Sequence, residues 1–251
     1  MPTQWSLSLD PPPPPSGVLP SHLHALACAL LESSSDDHTA QAKPFTASLA
    51  GRQLTLSWLN EPTEPDLGER IINPVRLGPH TATASLAEQR FEAYARMAAA
   101  PPAHKVAVSF LTATYVNQAG NQLPLPVPEL LLGGLTRRWE TFSPQPLPAS
   151  AVTEVVESAH VSRHSIRTLA AGSGPSQRTG FVGNAVFGLP TRASRQAQRA
   201  FAALWLFASF AGVGAQTTHG LGHVQVRMNQ EAAPRSGPRT AHSPALSERT
   251  S

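Results

Sequence analysis

The chain has 251 residues, 41% apolar and 14% charged, with a net charge of +3. That length carries one large or two small cores, and the single cysteine, Cys28, excludes an internal disulfide and suits a reducing compartment. No run of eighteen apolar residues argues for a membrane span, and the start MPTQWSLSLD lacks the basic-then-apolar order of a signal peptide, so a cytoplasmic location is expected.

Trp5 to Leu9 alternates as a short strand, and the five prolines Pro11 to Pro15 read as a polyproline II spacer. Pro20 then opens a helix whose apolar positions Leu23, Leu26, Ala27, Leu30 and Leu31 keep the 3.6-residue period, with Ser33 to Asp37 ending it and Cys28 packed inside. Phe45 to Leu49 and Leu54 to Trp58 flank Ala-Gly-Arg as a hairpin, Pro65 to Ile72 is a predicted second helix, and Thr81 to Leu86 a fourth strand. The order β, α, β, β, α, β is that of a ferredoxin-like unit. After the break AAAPPAH at 98–104 the pattern repeats: strand Lys105 to Thr112, helix Glu129 to Phe142, strands Val161 to Leu169 and Gly180 to Phe187, helix Arg195 to Phe210, strand Val224 to Met228. Trp139 and Trp205 are expected in the core. The expected fold is therefore α+β, with two tandem ferredoxin-like (RRM-like) domains over 1–100 and 104–228 and a disordered tail over 229–251.

Charge is strongly polarised along this framework. Between Ser158 and Gln230 lie seven arginines (Arg163, Arg167, Arg178, Arg192, Arg195, Arg199, Arg227) and no Asp or Glu, whereas residues 1–157 carry a net −5. Arginine binds phosphate bidentately and stacks on bases, so a carboxylate-free, arginine-bearing segment suits a nucleic-acid backbone. Codon bias explains the choice of Arg over Lys but not the missing acids. The segment FAGVGAQTTHGLGHVQV, with Gly212, Gly214, Gly220 and Gly222, interrupts an apolar helix before a strand. Four glycines suit either a close approach to a ligand, whose anionic groups would meet backbone amides, or a glycine-rich helix cap and turn. Neither the Walker loop nor the dinucleotide fingerprint fits, because the loop follows a helix and opens a strand.

Several segments in order resemble one family: HALACALL in the first helix, His38 followed by KPFTASL, FLTATYVNQAGNQLPLPVPELLLGGLTRRWETF, GFVGNAVFGL, and the glycine-rich segment itself. Together they resemble the CRISPR-associated endoribonucleases that process precursor CRISPR RNA, the sixth Cas family of the RAMP superfamily. The resemblance implies tandem ferredoxin-like domains, binding of CRISPR repeat RNA, and one metal-independent cut per repeat by ribose 2′-hydroxyl attack, leaving a 2′,3′-cyclic phosphate and a 5′-hydroxyl. It implies no cofactor, and other Cas effector subunits as further partners. A non-catalytic RAMP subunit that only binds RNA shares the same features and stands as the alternative; a generic tandem RNA-binding protein is disfavoured because neither half has an aromatic-rich RNP motif.

By the same resemblance His38 is the expected catalytic histidine, against the plain reading of a solvated loop residue in SDDHTAQAK, and Lys43 the lysine that supports phosphate charge. The first helix has no tyrosine, so His22 or His24 is available in its place. Thr217, Thr218 and His219, with the glycines Gly212, Gly214, Gly220 and Gly222, are expected to contact RNA, as are Arg163, Arg167 and Arg178. Arg137 and Arg138 are expected either to do likewise or to lie on a solvated helix face. His219 and His223 stand at i, i+4, but the intervening glycines argue against a helix and therefore against zinc.

Overall fold

The structure, a computed structural model, describes residues 1–14, 17–33, 42–173 and 177–228. The expected catalytic His38, Pro15 of the proline run and the tail 229–251 lie outside the described residues. Two antiparallel sheets are built in succession. The first contains β1 (Thr3–Asp10), β2 (Phe45–Ala50), β3 (Gln53–Trp58), β4 (Val75–Leu77) and β5 (His80–Phe91) in the order β2-β3-β1-β5-β4. The second contains β6 (Lys105–Thr114), β9 (His160–Ala171), β10 (Arg178–Gly188) and β11 (Val224–Met228) in the order β11-β6-β10-β9. A small hairpin of β7 (Val116–Gln118) and β8 (Asn121–Leu123) projects after β6.

In both sheets the first strand lies centrally between the last strand and the third, which is the ferredoxin-like order. Helix α1 (Pro20–Leu31) covers the first sheet with Leu23, Leu26, Ala27, Leu30 and Leu31. Proline at its first turn presets the backbone, and the imidazole of His22 accepts the Leu19 amide at 3.2 Å. The second core lies among α4 (Pro128–Phe142), α5 (Ala149–Ser158), α6 (Arg195–Ala211) and the inner face of the second sheet, around Trp139, Trp205, Phe187, Phe201 and Phe207. Trp139 and Trp205 are fully buried, as expected.

The second predicted helix shrinks to one turn, α2 (Leu67–Arg70), because Asp66 caps it only to Gly68 and Glu69 while Pro74 follows closely. The predicted strand Thr81 to Leu86 extends to the twelve residues of β5, long enough to pair with all of β1. Four elements escape the sequence patterns: β4, the β7–β8 hairpin, α5 and the short α3 (Tyr94–Ala98). Tyr94 and Met97 of α3 join Leu59 in the second core, where the Tyr94 ring meets Trp139 edge-on at 5.2 Å.

The polar face of the first sheet is buried rather than solvated. Gln4, Ser6, Thr46, Ser48, Thr55 and Ser57 are all under 9% exposed. Gln4 donates to the Ser209 carbonyl at 3.1 Å, Arg90 to the same oxygen at 3.1 Å, and Thr46 to the Phe210 carbonyl at 2.9 Å. These are last-turn carbonyls of α6, which lack partners within the helix. The negative end of the helix dipole favours the Arg90 cation, whose guanidinium also lies 4.7 Å over the Phe210 ring. The first sheet thus caps the helix that leads into the glycine-rich loop.

Candidate active site

One stripe of α1 faces away from its own core toward that loop. His24, Cys28 and Glu32 follow at i, i+4 and i+8, one above another on a helical surface continued by the cap. The His24 Nε2 lies 3.5 Å from Cys28 Sγ. Burial, with a hydrogen bond to Glu32 adding to it, pushes the Cys28 thiol up to about 11, so it stays protonated and is a poor nucleophile at neutral pH. Glu32 also receives the Lys43 ammonium at 2.7 Å, with the Lys43 side chain only 11% exposed. The pair flanks the segment containing His38 on both sides in sequence. Cys28 was expected simply as core; it is half-buried and belongs to this cluster.

The glycine-rich loop closes the other side. Its 3-10 turn, Thr217–His219, packs against α1 and β2. The His219 ring stacks on His24 at 4.0 Å with 7° between planes, and its Nδ1 lies 2.9 Å from Thr218 Oγ1. Burial, then the neighbouring His24, lowers His219 to about 4, leaving it neutral at pH 7. The stack joins side chains 195 positions apart and brings the two halves of the chain into one site. The Nδ1 of His24 is buried and without a hydrogen-bond partner among the described residues. His22 sits elsewhere, over Gly78, and serves the helix start.

The loop's own conformation accounts for its glycines. Gly214 (φ +76°) passes so close to the Tyr115 carbonyl, and Gly222 (φ +72°) to that of Val213, that a Cβ at either would collide with backbone. The amides of Val213, Ala215 and Gly222 bond to the carbonyls of Gly222, Tyr115 and Ala113 at 2.8, 2.9 and 3.0 Å. Those amides face protein, which differs from the expected row of open amides awaiting an anion. Arg138 turns inward from α4, donating to the Ala211 carbonyl and, at 3.0 Å, to Thr217 Oγ1. Burial lowers its guanidinium to about 10. It therefore holds the loop from beneath and is neither a solvated residue nor an open phosphate ligand, whereas Arg137 is exposed.

Arg163 and Arg167 stand on β9, exposed and four residues apart, hence on one face of the strand. Arg163 shares a shallow cavity of about 410 Å³ with Ser109, Asn184 and Arg227 on the outer face of the second sheet. Arg178 is half-buried, opposite Ala171 in register, and hydrogen-bonds Tyr115. Burial, and after it Arg90, lowers His223 to about 4. Among the described residues no group of three or more His, Cys, Asp and Glu side chains is arranged to hold a metal ion. None of their helices is long and apolar enough to cross a membrane.

The family model of the CRISPR-associated endoribonuclease Cas6 matches residues 108–224, from the middle of β6 to the start of β11. A CRISPR-associated endoribonuclease Cas6 of Mycobacterium tuberculosis is 27% identical over 243 residues, covering 87% of this chain and 74% of that protein. A solved Cas6 product complex superposes with a TM-score of 0.79 at 28% identity, over 90% of this chain and 100% of the other. The chain is thus similar to Cas6 endoribonucleases in both sequence and fold.

A Cas6 substrate mimic complex is also similar, with a TM-score of 0.74 and 28% identity over 90% of this chain and 99% of that one. Sequence reasoning missed Glu32 and Cys28 as members of this candidate site. Their i, i+4, i+8 relation to His24 was the available signal.

Proposed function

We propose that this protein is a Cas6 endoribonuclease that binds CRISPR repeat RNA and cuts the precursor once per repeat without a metal ion. The ribose 2′-oxygen attacks the adjacent phosphorus, the bond to the 5′-oxygen breaks, and the products carry a 2′,3′-cyclic phosphate and a 5′-hydroxyl. One proton leaves the 2′-hydroxyl and one reaches the departing 5′-oxygen; His38 serves these transfers, histidine being the residue type whose ordinary pKa lies nearest neutrality. Lys43, oriented by Glu32, stabilises charge on the phosphate. In this reading residues 1–100 form the unit that brings the catalytic pair. Residues 104–228 form the unit that grips RNA through Arg163, Arg167, Arg178 and the turn Thr217–His219. The protein works in the cytoplasm and passes its product to other Cas effector subunits.

The observation that carries the reading is the chain of contacts His219–His24–Cys28–Glu32–Lys43, which runs from the glycine-rich loop along α1 to the lysine. Similarity to a Cas6 product complex and a Cas6 substrate mimic complex supports RNA binding and processing.

A labelled repeat RNA incubated with the protein in EDTA should be cut once, and a 2′-deoxy nucleotide just before the cut should abolish the reaction. His38→Ala and Lys43→Ala should each lose cleavage by a factor on the order of 10² to 10³ while keeping RNA affinity within a few-fold. Tight binding by the wild-type protein without any cut would favour a non-catalytic RNA-binding subunit. Normal cutting by the His38 variant would refute the catalytic assignment.

A further inference from the structure

Beside the stacked imidazoles lies a cleft of about 640 Å³, shared between the two halves of the chain. Leu19, Leu23 and Leu49 line it from the first half, Leu169 and Leu221 from the second, and His219 lies between them. This volume falls within the usual range for small-ligand sites. No Asp or Glu appears among the described residues lining it. Its walls are more apolar than polar, with aliphatic side chains set between Thr112, Ser173 and glycine backbone. A flat ring with little need for hydrogen bonds across its faces suits such walls.

His219 supplies a surface for that ring. One face of the imidazole is backed by His24 at 4.0 Å and nearly parallel, and Nδ1 is fixed by Thr218, so the ring is held at a set orientation where it lines the cleft. The His24 ring behind it extends the platform. Among the described residues the cleft is lined by no Asp, Glu, Lys or Arg, and cations stand close by on the second sheet. Arg167 precedes the lining residue Leu169 by two positions on β9, and Arg178 pairs in register with the lining residue Ala171. Cations at the rim and an apolar interior match a nucleotide, whose phosphate is anionic and whose base is flat.

We infer that this cleft is a nucleobase pocket: one unpaired base of the bound RNA leaves its neighbours, enters between the two halves and stacks on His219. The inference rests on the reading that RNA is the substrate. The pocket would fix the register of the strand relative to Lys43, so its occupant sets where the cut falls as well as how tightly the RNA binds. Base–aromatic stacking tolerates any base, and the cleft accordingly selects an unpaired position more than a particular sequence.

The test is a scan of repeat RNAs, each with one abasic ribonucleotide, against the wild-type protein, His219→Ala and His219→Phe. With wild-type protein one position should stand out, its abasic RNA binding about tenfold more weakly than its neighbours. That penalty should vanish in His219→Ala, since base and ring then no longer couple, and persist in His219→Phe, which keeps an aromatic face. The wild-type scan needs no variant to fold. RNA that is bound and cut normally at every abasic position would overturn the pocket and leave the nuclease reading standing. An equal penalty in wild-type and His219→Ala would also overturn it. Failure of the intact repeat RNA to bind at all would overturn both.

Discussion

The two sheets share one strand order and use their polar faces in opposite ways. The face of the first sheet carries short side chains, Ser6, Thr46, Ser48, Thr55 and Ser57, and is buried. Gln4, Thr46 and the neighbouring Arg90 hold the last carbonyls of α6. The outer face of the second sheet bears Arg163, Arg167 and Arg227, all exposed. Small hydroxyls let a helix end approach and satisfy its carbonyls, whereas the arginines on the second sheet's outer face reach into solvent. The same architecture thus yields an internal docking face in one half and an open cationic face in the other, with the glycine-rich loop at their junction.

Arg138 and the β9 arginines separate these roles. Arg138→Met should leave the Ala211 carbonyl and the Thr217 hydroxyl without their donor. A lost hydrogen bond to a charged group costs about 2 to 3 kcal/mol, which in a chain of this size lowers the thermal midpoint by roughly 5 to 10 °C. Differential scanning calorimetry reads this directly, and an unchanged midpoint would mean that the loop does not depend on this anchor. The double variant Arg163→Ala/Arg167→Ala should show the converse. Its midpoint should stay within about 2 °C, since exposed substitutions rarely exceed 0.5 kcal/mol, while the slope of log affinity for repeat RNA against log salt falls by about two. An unaltered slope would remove this face from the RNA path.

Much of this comparison was legible in the sequence, and the rest had physical reasons for being hidden. Strand alternation and the arginine-only window located both sheets and the charged half, because both are local properties of the chain. Helix α5 escaped because Val152, Val155 and Val156 are β-branched and read as strand formers, and packing against α6 overrides that preference. Helix α3, five residues long, is too short for periodicity to register. In the candidate site Lys43 was legible through its spacing in a family pattern. The inward turn of Arg138 was not, since its partners Ala211 and Thr217 lie 73 and 79 positions away. The His24–His219 stack likewise exists only once the two halves meet.

Acid provides the finest probe of that junction. His219 and His223 are both lowered to about 4 in the folded protein, by burial first and then by His24 and Arg90 respectively, against about 6.5 in an unfolded chain. Between those values the unfolded state binds the more protons, so stability falls as pH drops from about 6.5 toward 4 and is insensitive to these two groups above about 7. The loss should be on the order of 1 to 2 kcal/mol per histidine once solvent screening of the partly exposed rings is allowed for. Denaturant midpoints measured from pH 7.5 to 4.5 should therefore decline, and His223→Asn, which removes one titrating ring beside Arg90, should decline less. If wild type and variant fall in parallel, the ring is not held neutral by the interface, and the tight closure of the loop on the first half is looser than its hydrogen bonds indicate.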